Sequence, residues 1–197
     1  MAESAGKKRR IPLWAELLLL TTLVVSAVIA LYAGYRHYMR CAYPMAYTEQ
    51  VDQWSDEYAL DASLVYAVIR TESGFDPNAV SHAGAMGLMQ MTKDTFEWVQ
   101  WRDKTDNPLP KEKLFDPEIS IRYGCLMLHL LKEQYDNMET ALAAYNGGMG
   151  NVSSWLKDPA YSDDGKTLRN IPYKETREYV RKVLEAQKMY RELYDLA

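Results

Sequence analysis

The stretch Asp61-Ala-Ser-Leu-Val-Tyr-Ala-Val-Ile-Arg-Thr-Glu-Ser-Gly-Phe75 decides the fold class of this chain. Its apolar residues at positions 64, 65, 68 and 69 recur at intervals of three and four, which is the period of a helix with one buried face. Asp61 is a favourable N-cap residue, and Gly74 followed by Pro77 indicates where the helix ends. The pattern therefore predicts an amphipathic helix that carries a carboxylate, Glu72, in its last turn.

Similar helix signals lie on both sides of this stretch. Thr48, Thr92 and Asp116 are suitable N-cap residues ahead of apolar helical patterns, and a proline follows Asp116 at the first helical position. The pattern from 117 to about 134 is apolar nearly all round between 125 and 131, which predicts a buried central helix. Further helices are predicted over 138–145, 151–156 and 174–194. No segment alternates with a period of two for long, so region 48–197 is predicted to be a mostly α domain with about seven helices.

Composition places the chain among globular proteins. Of its 197 residues, 48% are apolar and 25% are charged, and only two are cysteines. These values exclude a disordered chain, a collagen-like chain and a disulfide scaffold. Residues 1–40 carry a net charge of +4, and residues 41–197 carry −8. A domain this acidic is a poor candidate for binding nucleic acid, so no nucleic-acid partner is expected.

The N-terminal region has the pattern of a membrane anchor. Four basic residues, Lys7 to Arg10, precede an apolar stretch over 11–35 whose core, 17–33, contains no charged residue. With its apolar flanks, this core reaches the roughly 20 residues that a helix needs to cross a bilayer. A cleaved secretory signal is the alternative, but its apolar region runs only about 7 to 15 residues and ends at a small-residue cleavage site, which we do not find. The length favours an uncleaved transmembrane helix.

These observations divide the chain into four segments. Residues 1–10 are predicted to be a cytoplasmic basic tail, because basic clusters that flank a span remain in the cytoplasm. Residues 11–35 are the transmembrane anchor, 36–47 a linker, and 48–197 a single domain on the extracytoplasmic side of the cell membrane. Arg36 and Arg40 reduce the charge asymmetry across the span.

The cysteines and histidines give no sign of a metal or redox site. Cys125 lies in an apolar run and is predicted to be a small buried hydrophobe, and Cys41 falls in the linker. The three histidines, at 37, 82 and 129, lack a partner at the i, i+4 spacing that would suggest zinc. We therefore expect no disulfide, no metal site and no cofactor.

Glu72 departs from the usual helix pattern in a chemically useful way. It follows Ile69 by three residues and Val68 by four, so it continues the buried stripe instead of lying on the solvent face. Burial and the negative end of the helix dipole both disfavour the carboxylate, which predicts a raised pKa. A carboxyl group that keeps its proton near neutral pH can serve as a general acid. The alternative is a solvated glutamate at the edge of the stripe, or one paired with Arg70.

Four short motifs, taken in order, resemble those of the soluble lytic transglycosylase catalytic domain. They are Glu72-Ser-Gly-Phe75, Ser81-x-x-Gly84-Ala-x-Gly-Leu-Met-Gln90, Ala144-Tyr-Asn146 and Ile171-Pro-Tyr-x-Glu-Thr-Arg-x-Tyr-Val180. The match covers about residues 48–194, and four ordered motifs are far more specific than any one alone. The resemblance implies a lysozyme-like α-helical fold, related to goose-type lysozyme, and an activity on peptidoglycan.

The resemblance also implies roles for individual residues. Glu72 matches the catalytic glutamate of the family. Ser81 and Gln90 match residues that line the sugar site, and Tyr145 matches a tyrosine whose hydroxyl lies near the acid. Glu175 matches a groove residue of the last motif.

Other positions are expected to serve the structure more than the chemistry. Arg177 and Tyr179 of the last motif are expected to be structural, and core packing is also the alternative for Tyr145. Met86, Met89 and Met91 are candidates either for lining the groove or for filling the core.

As the resemblance implies, the reaction needs one carboxyl group. Glu72 would protonate the glycosidic oxygen between N-acetylmuramic acid and N-acetylglucosamine, and its carboxylate would then take the proton of the muramic C6 hydroxyl as that oxygen attacks C1. The product is a 1,6-anhydro-N-acetylmuramic acid, and no water is consumed. The expected partner is the glycan strand of peptidoglycan, and the sequence identifies no protein partner.

Two alternatives stay open at this point. A hydrolytic muramidase of the same fold would need a second acid near the groove, and Asp76 and Asp94 are the nearest in sequence. A non-catalytic, membrane-tethered peptidoglycan-binding protein would need no protonated carboxyl group, so an intact Glu72 disfavours it.

Overall fold

The computed structural model describes residues 12–196, which form eight α-helices and one short 3₁₀ helix. In chain order the elements are α1 (Leu13–Ala42), α2 (Thr48–Glu57), α3 (Ala62–Glu72), α4 (Lys93–Arg102), the 3₁₀ helix (Lys111–Phe115), α5 (Pro117–Gln134), α6 (Met138–Gly147), α7 (Met149–Leu156) and α8 (Lys174–Tyr194). Over the same residues the only strand-like pairing is two isolated bridges, Val80 with Met86 and Met86 with Met91. The predicted mostly α fold is confirmed.

α1 is the candidate membrane span. It has 30 residues and no buried side chain, and it is long and apolar enough to cross a bilayer. The helix ends at Ala42, so the first part of the predicted linker, 36–42, is helical. This extension is physically reasonable because no proline follows Leu13 until Pro44. The predicted basic tail, 1–10, lies outside the described residues.

A separate compact unit begins at Tyr43, and α5 lies at its centre. The buried residues of α5 include Ile121, Cys125, Leu128 and Leu131, and α2, α4 and α6 pack around the helix. Gly124 allows a close approach on one side, since a Cβ there would overlap the Met89 side chain. The predictions of a buried central helix and a buried Cys125 are confirmed.

α3 packs mainly against α8, and Asp61 fixes how the two helices meet. One carboxylate oxygen of Asp61 caps α3 by accepting a hydrogen bond of 2.8 Å from the Ser63 backbone. The other oxygen accepts one of 2.9 Å from Arg191 Nε of α8. Glu72, at the far end of α3, is thereby held in a defined position relative to α8.

Tyrosines of α8 also secure the start of this unit. The Tyr194 hydroxyl donates a hydrogen bond of 2.7 Å to the carbonyl oxygen of Tyr43, and the Tyr190 hydroxyl donates one of 2.9 Å to that of Pro44. The segment between α1 and α2 is therefore tied to the domain.

Most predicted helix starts are confirmed, but α7 begins at Met149, two residues before the predicted start, and the predicted cap of α2 is wrong. Thr92 and Asp116 cap α4 and α5 by accepting hydrogen bonds from Thr95 and Glu118. Thr48, in contrast, is the first residue of α2, and the capping position belongs to Tyr47, which has a left-handed backbone and no side-chain cap. The 3₁₀ helix was not predicted because five residues are too few to show a helical period.

Candidate active site

Glu72 is the last residue of α3, and its side chain is partly buried. Val65, Val68 and Ile69, which precede it on the same helix, are fully buried. Burial raises the pKa of the Glu72 carboxyl to about 7, although the Tyr179 hydroxyl lowers it in part. The raised pKa that the sequence predicts is confirmed, and its main cause is loss of solvent around the charge.

The segment after α3 forms one wall of a cavity beside Glu72. The Ser73 hydroxyl donates a hydrogen bond of 2.9 Å to the carbonyl oxygen of Leu88, which closes the loop onto the end of α3. Gly87 has a φ of +76°, and a Cβ there would overlap the backbone carbonyl oxygen of Leu114. Only glycine meets both conditions, so this position fixes the course of the loop.

Ser81 and Gln90 stabilise the same loop through hydrogen bonds to its own backbone. The Ser81 hydroxyl accepts a hydrogen bond of 3.1 Å from the Ala85 backbone. The Gln90 side-chain amide donates to the carbonyl oxygens of Ala79 and Gly87, at 3.0 and 2.9 Å. Both side chains therefore shape the cavity wall, and Ser81 keeps its hydroxyl proton available to a ligand.

Two tyrosines lie against the Glu72 carboxyl. The Tyr145 hydroxyl donates a hydrogen bond of 2.8 Å to the carbonyl oxygen of Met89. The Tyr179 ring lies parallel to that of Tyr145, with 6.5 Å between centroids, and its buried hydroxyl makes no hydrogen bond of regular geometry with any described residue. Burial, and then the nearby Glu72 charge, raise the pKa of both tyrosines. Both hydroxyls therefore keep their protons at neutral pH.

The expectation that Tyr179 has a purely structural role is incomplete. Its position on the buried stripe of α8 predicted core packing, and its side chain is indeed buried. The hydroxyl is nevertheless one of the groups that set the pKa of Glu72. Arg177 fits the structural expectation, since it donates a hydrogen bond of 2.7 Å to the carbonyl oxygen of Ile171.

The structure brings all five predicted site residues to one cavity of about 430 Å³, which we call the main cavity. They are Glu72, Ser81, Gln90, Tyr145 and Glu175. Several lining residues were not predicted as site residues: His82, Thr92, Thr95, Met127 and Asn146. His82 and Asn146 fall within two of the four motifs, whereas only the fold brings the other three to the cavity. Contact of the five predicted site residues with a ligand stays a prediction.

The candidate second acids and the candidate groove methionines do not all line the main cavity. Asp76 is not among the residues that line the main cavity, and Asp94 lines a smaller cavity beside it. Met91 lines the main cavity, whereas Met89 is fully buried in the core. Within residues 12–196, no group of three or more His, Cys, Asp or Glu side chains is placed to hold a metal ion.

Comparison with known proteins identifies the family. The sequence-family model for the transglycosylase SLT domain matches residues 49–168, more than half of the chain. The chain belongs to the transglycosylase SLT domain family. The SLT match includes α3, the loop with Ser81 and Gln90, and α6, but it ends before Glu175 and Tyr179.

Individual SLT proteins agree with this assignment. The membrane-bound lytic murein transglycosylase C of Klebsiella pneumoniae is 37% identical over 166 residues, covering 74% of this chain and 46% of the relative. An inactive Glu-to-Gln mutant of the lytic transglycosylase Slt from Pseudomonas aeruginosa superposes with a TM-score of 0.67 at 32% identity. The 70-kDa soluble lytic transglycosylase of Escherichia coli gives a TM-score of 0.69 at 29% identity. Each structural match covers 78% of this chain and 25% of the other.

The SLT domain is only part of these relatives. The chain spans less than half of the length of the Klebsiella relative and a quarter of the two solved structures. The structural neighbours support the lysozyme-like fold that the four motifs implied.

Proposed function

We propose that this protein is a peptidoglycan lytic transglycosylase that cleaves the β-1,4 bond between N-acetylmuramic acid and N-acetylglucosamine. The observation that carries the proposal is the Glu72 carboxyl, which is partly buried, has a pKa raised to about 7 and lines the main cavity. A carboxyl group with this pKa is partly protonated at neutral pH, so it can donate a proton and later accept one.

The proposed reaction uses Glu72 twice. Its proton passes to the glycosidic oxygen as the bond to muramic C1 breaks, while the substrate's own N-acetyl group stabilises the positive charge at C1. The Glu72 carboxylate then accepts the proton of the C6 hydroxyl as O6 bonds to C1. A nucleophile in the same sugar competes well with water, since effective molarities for well-oriented groups reach about 10⁵ to 10⁸ M.

The other groups at the main cavity are assigned supporting roles. The proposed sugar contacts come from Ser81, Gln90 and Glu175, which all line the cavity. The protonated hydroxyl of Tyr179 stabilises the Glu72 carboxylate, because it lowers the pKa of that group. Tyr145 fixes the cavity wall through its hydrogen bond to Met89.

Hydrolysis is the second candidate, since Glu175 is another carboxyl group on the main cavity. An inverting hydrolase would use such a group to activate water. Mass spectrometry of muropeptides from digested peptidoglycan separates the two reactions. Transglycosylase products end in 1,6-anhydro-N-acetylmuramic acid, weigh one water less than hydrolytic products and resist borohydride reduction. Predominantly reducible ends would indicate a muramidase.

We further propose that α1 anchors the chain in the cell membrane, with residues 48–197 on the extracytoplasmic side. The apolar length of α1 and the basic residues before it support this orientation. Protease added to cells without walls is expected to remove the domain and leave a membrane-embedded N-terminal fragment. Full protection, or release of the intact domain by cleavage near residue 33, would contradict the proposed topology.

A further inference from the structure

A second cavity continues from the main cavity along α4. Its volume is about 230 Å³, about half that of the main cavity. Thr95, Met127 and Tyr145 line both cavities, so the two form one continuous groove. The lining residues that belong to the second cavity alone are Asp94, Trp98, Ala144, Gly148 and Met149.

Trp98 is the largest side chain in this second cavity. It follows Thr95 by three residues on α4, so the two side chains lie on the same face of the helix, one turn apart. The Trp98 side chain is partly buried and packs against the core. Arg102 lies over its ring, 5.9 Å from the centroid. These contacts restrict the ring, so Trp98 offers a fixed aromatic surface to a ligand.

The chemistry of the second cavity matches a sugar ring. A pyranose has apolar C–H groups on its faces and hydroxyl groups around its edge. The Trp98 ring and the Met149 side chain supply apolar contact for a face. The Asp94 carboxylate accepts hydrogen bonds from hydroxyl groups, and its charge disfavours an anionic ligand. A neutral saccharide satisfies all of these groups.

We propose that Trp98, Asp94 and Met149 form a further binding subsite, the Trp98 subsite, for a sugar of the glycan strand that lies away from the cleaved bond. The inference rests on the proposed function, because it assumes a glycan in the main cavity. Contacts remote from the reacting atoms are made only by a ligand long enough to reach them. The Trp98 subsite therefore makes the protein prefer long strands to short ones.

The test measures affinity against ligand length. Chitin oligosaccharides of two to six sugars are titrated calorimetrically into the full-length protein in detergent. Trp98→Ala is expected to weaken hexamer binding about tenfold, which corresponds to about 1.4 kcal/mol, and to leave dimer binding unchanged. Trp98→Phe keeps an aromatic face and is expected to retain most of the affinity. Trp101→Ala is the matched control, since Trp101 lies one turn further on α4, is 71% exposed and lines neither cavity.

Several results would overturn the Trp98 subsite. They are unchanged hexamer binding in Trp98→Ala, an equal loss for dimer and hexamer, and an equal loss in Trp101→Ala. A loss of affinity seen with peptidoglycan strands that carry their peptide side chains, but not with chitin oligosaccharides, would show that the occupant is a peptide and not a sugar. Met149→Ala alters the cavity from the α6–α7 side and is expected to weaken hexamer binding too, so it tests the proposal even if Trp98→Ala does not fold.

Failure of the subsite and failure of the proposed function are separable. Peptidoglycan digestion by the unmodified protein is measured in parallel, with anhydro products as the readout. Their absence would contradict the transglycosylase function. Anhydro products together with length-independent oligosaccharide binding would contradict the Trp98 subsite alone.

Discussion

The Tyr145 hydroxyl of α6 donates a hydrogen bond of 2.8 Å to the carbonyl oxygen of Met89, 56 residues earlier in the chain. This bond joins the loop that carries Ser81 and Gln90 to the helical core, and it commits the Tyr145 proton to the backbone. Tyr179, whose ring lies parallel to that of Tyr145, makes no such bond to any residue within 12–196. Its hydroxyl is therefore free to respond to the charge state of Glu72.

Glu72→Gln is expected to abolish anhydro-product formation while the fold stays intact. Glutamine has nearly the same shape as glutamic acid and can donate a hydrogen bond, but it cannot deliver a proton to a leaving oxygen. Loss of general acid–base catalysis lowers rates by about 10² to 10⁴-fold. Muropeptide analysis gives the rate, and circular dichroism checks the fold. A folded Glu72→Gln protein with wild-type activity would refute the role given to Glu72.

The same substitution is expected to stabilise the domain in a pH-dependent way. The pKa of Glu72 is 4.5 when unperturbed and about 7 in the folded protein. Between these values the folded state holds a proton that the unfolded state releases, so wild-type stability falls as the pH rises and the loss is complete above about pH 8. Glutamine does not titrate, so Glu72→Gln does not lose this part of the free energy of unfolding, which amounts to about 3 kcal/mol.

The measurement for this prediction is the difference in unfolding free energy between Glu72→Gln and wild type. It is taken in detergent from denaturant titrations at pH 4 and pH 8. Other titrating groups are common to both proteins and cancel in the difference. An equal difference at the two pH values would mean that Glu72 titrates normally in the folded protein.

Tyr179→Phe is expected to move the pH profile of activity to higher pH. The Tyr179 hydroxyl lowers the pKa of Glu72, so its removal lets the group keep its proton to a higher pH. The activity loss on the alkaline side then shifts upward by about one pH unit. Stability is expected to change little, because the hydroxyl makes no regular hydrogen bond to the described part of the chain that the substitution could remove.

Tyr145→Phe is the matched comparison for Tyr179→Phe. It removes the bond to Met89 and is expected to cost about 1 kcal/mol of stability, with the alkaline side of the profile unmoved. A profile that moved equally in the two variants would assign the same function to both hydroxyls.

Gly87→Ala is expected to destabilise the loop that forms the cavity wall, and Gly84→Ala is its control. The two glycines have almost the same backbone angle, with φ values of +76° and +77°. A Cβ at Gly87 would overlap the Leu114 carbonyl, whereas no atom of the described residues lies within 4 Å of a Cβ at Gly84. Gly84→Ala should therefore cost only backbone strain, about 1 kcal/mol. Gly87→Ala should cost about 2 kcal/mol more, and thermal unfolding of both variants would show the difference.

The sequence predicts best those features that depend on local periodicity. The stripe of α3 identified Glu72, because a carboxylate at a buried helical position is visible from spacing alone. The end of α1 was misplaced, because nothing in the seven residues after Tyr35 forces a helix to stop. Tyr179 was undervalued for a different reason. Its position predicts burial, but only the packing of α8 against α3 brings its hydroxyl to Glu72.

The second cavity could not be predicted from the sequence for a similar reason. Trp98 belongs to none of the four motifs, and a tryptophan on an amphipathic helix is ordinarily core. Its significance depends on residues from α5, α6 and the α6–α7 junction that meet only in three dimensions. Ser81, Gln90 and Glu175 could be selected from the sequence because their motifs were recognisable. The hydrogen bonds that Ser81 and Gln90 make within their loop could not be predicted.

The short connection after α1 limits how far from the bilayer the proposed enzyme can work. Five residues, 43–47, separate α1 from α2, and even a fully extended chain of that length reaches at most about 18 Å. Part of this reach is already used, since the carbonyl oxygens of Tyr43 and Pro44 are held by α8. Under the proposed topology this short connection limits the distance between the domain and the end of α1, so the glycan within its reach is the glycan nearest the membrane.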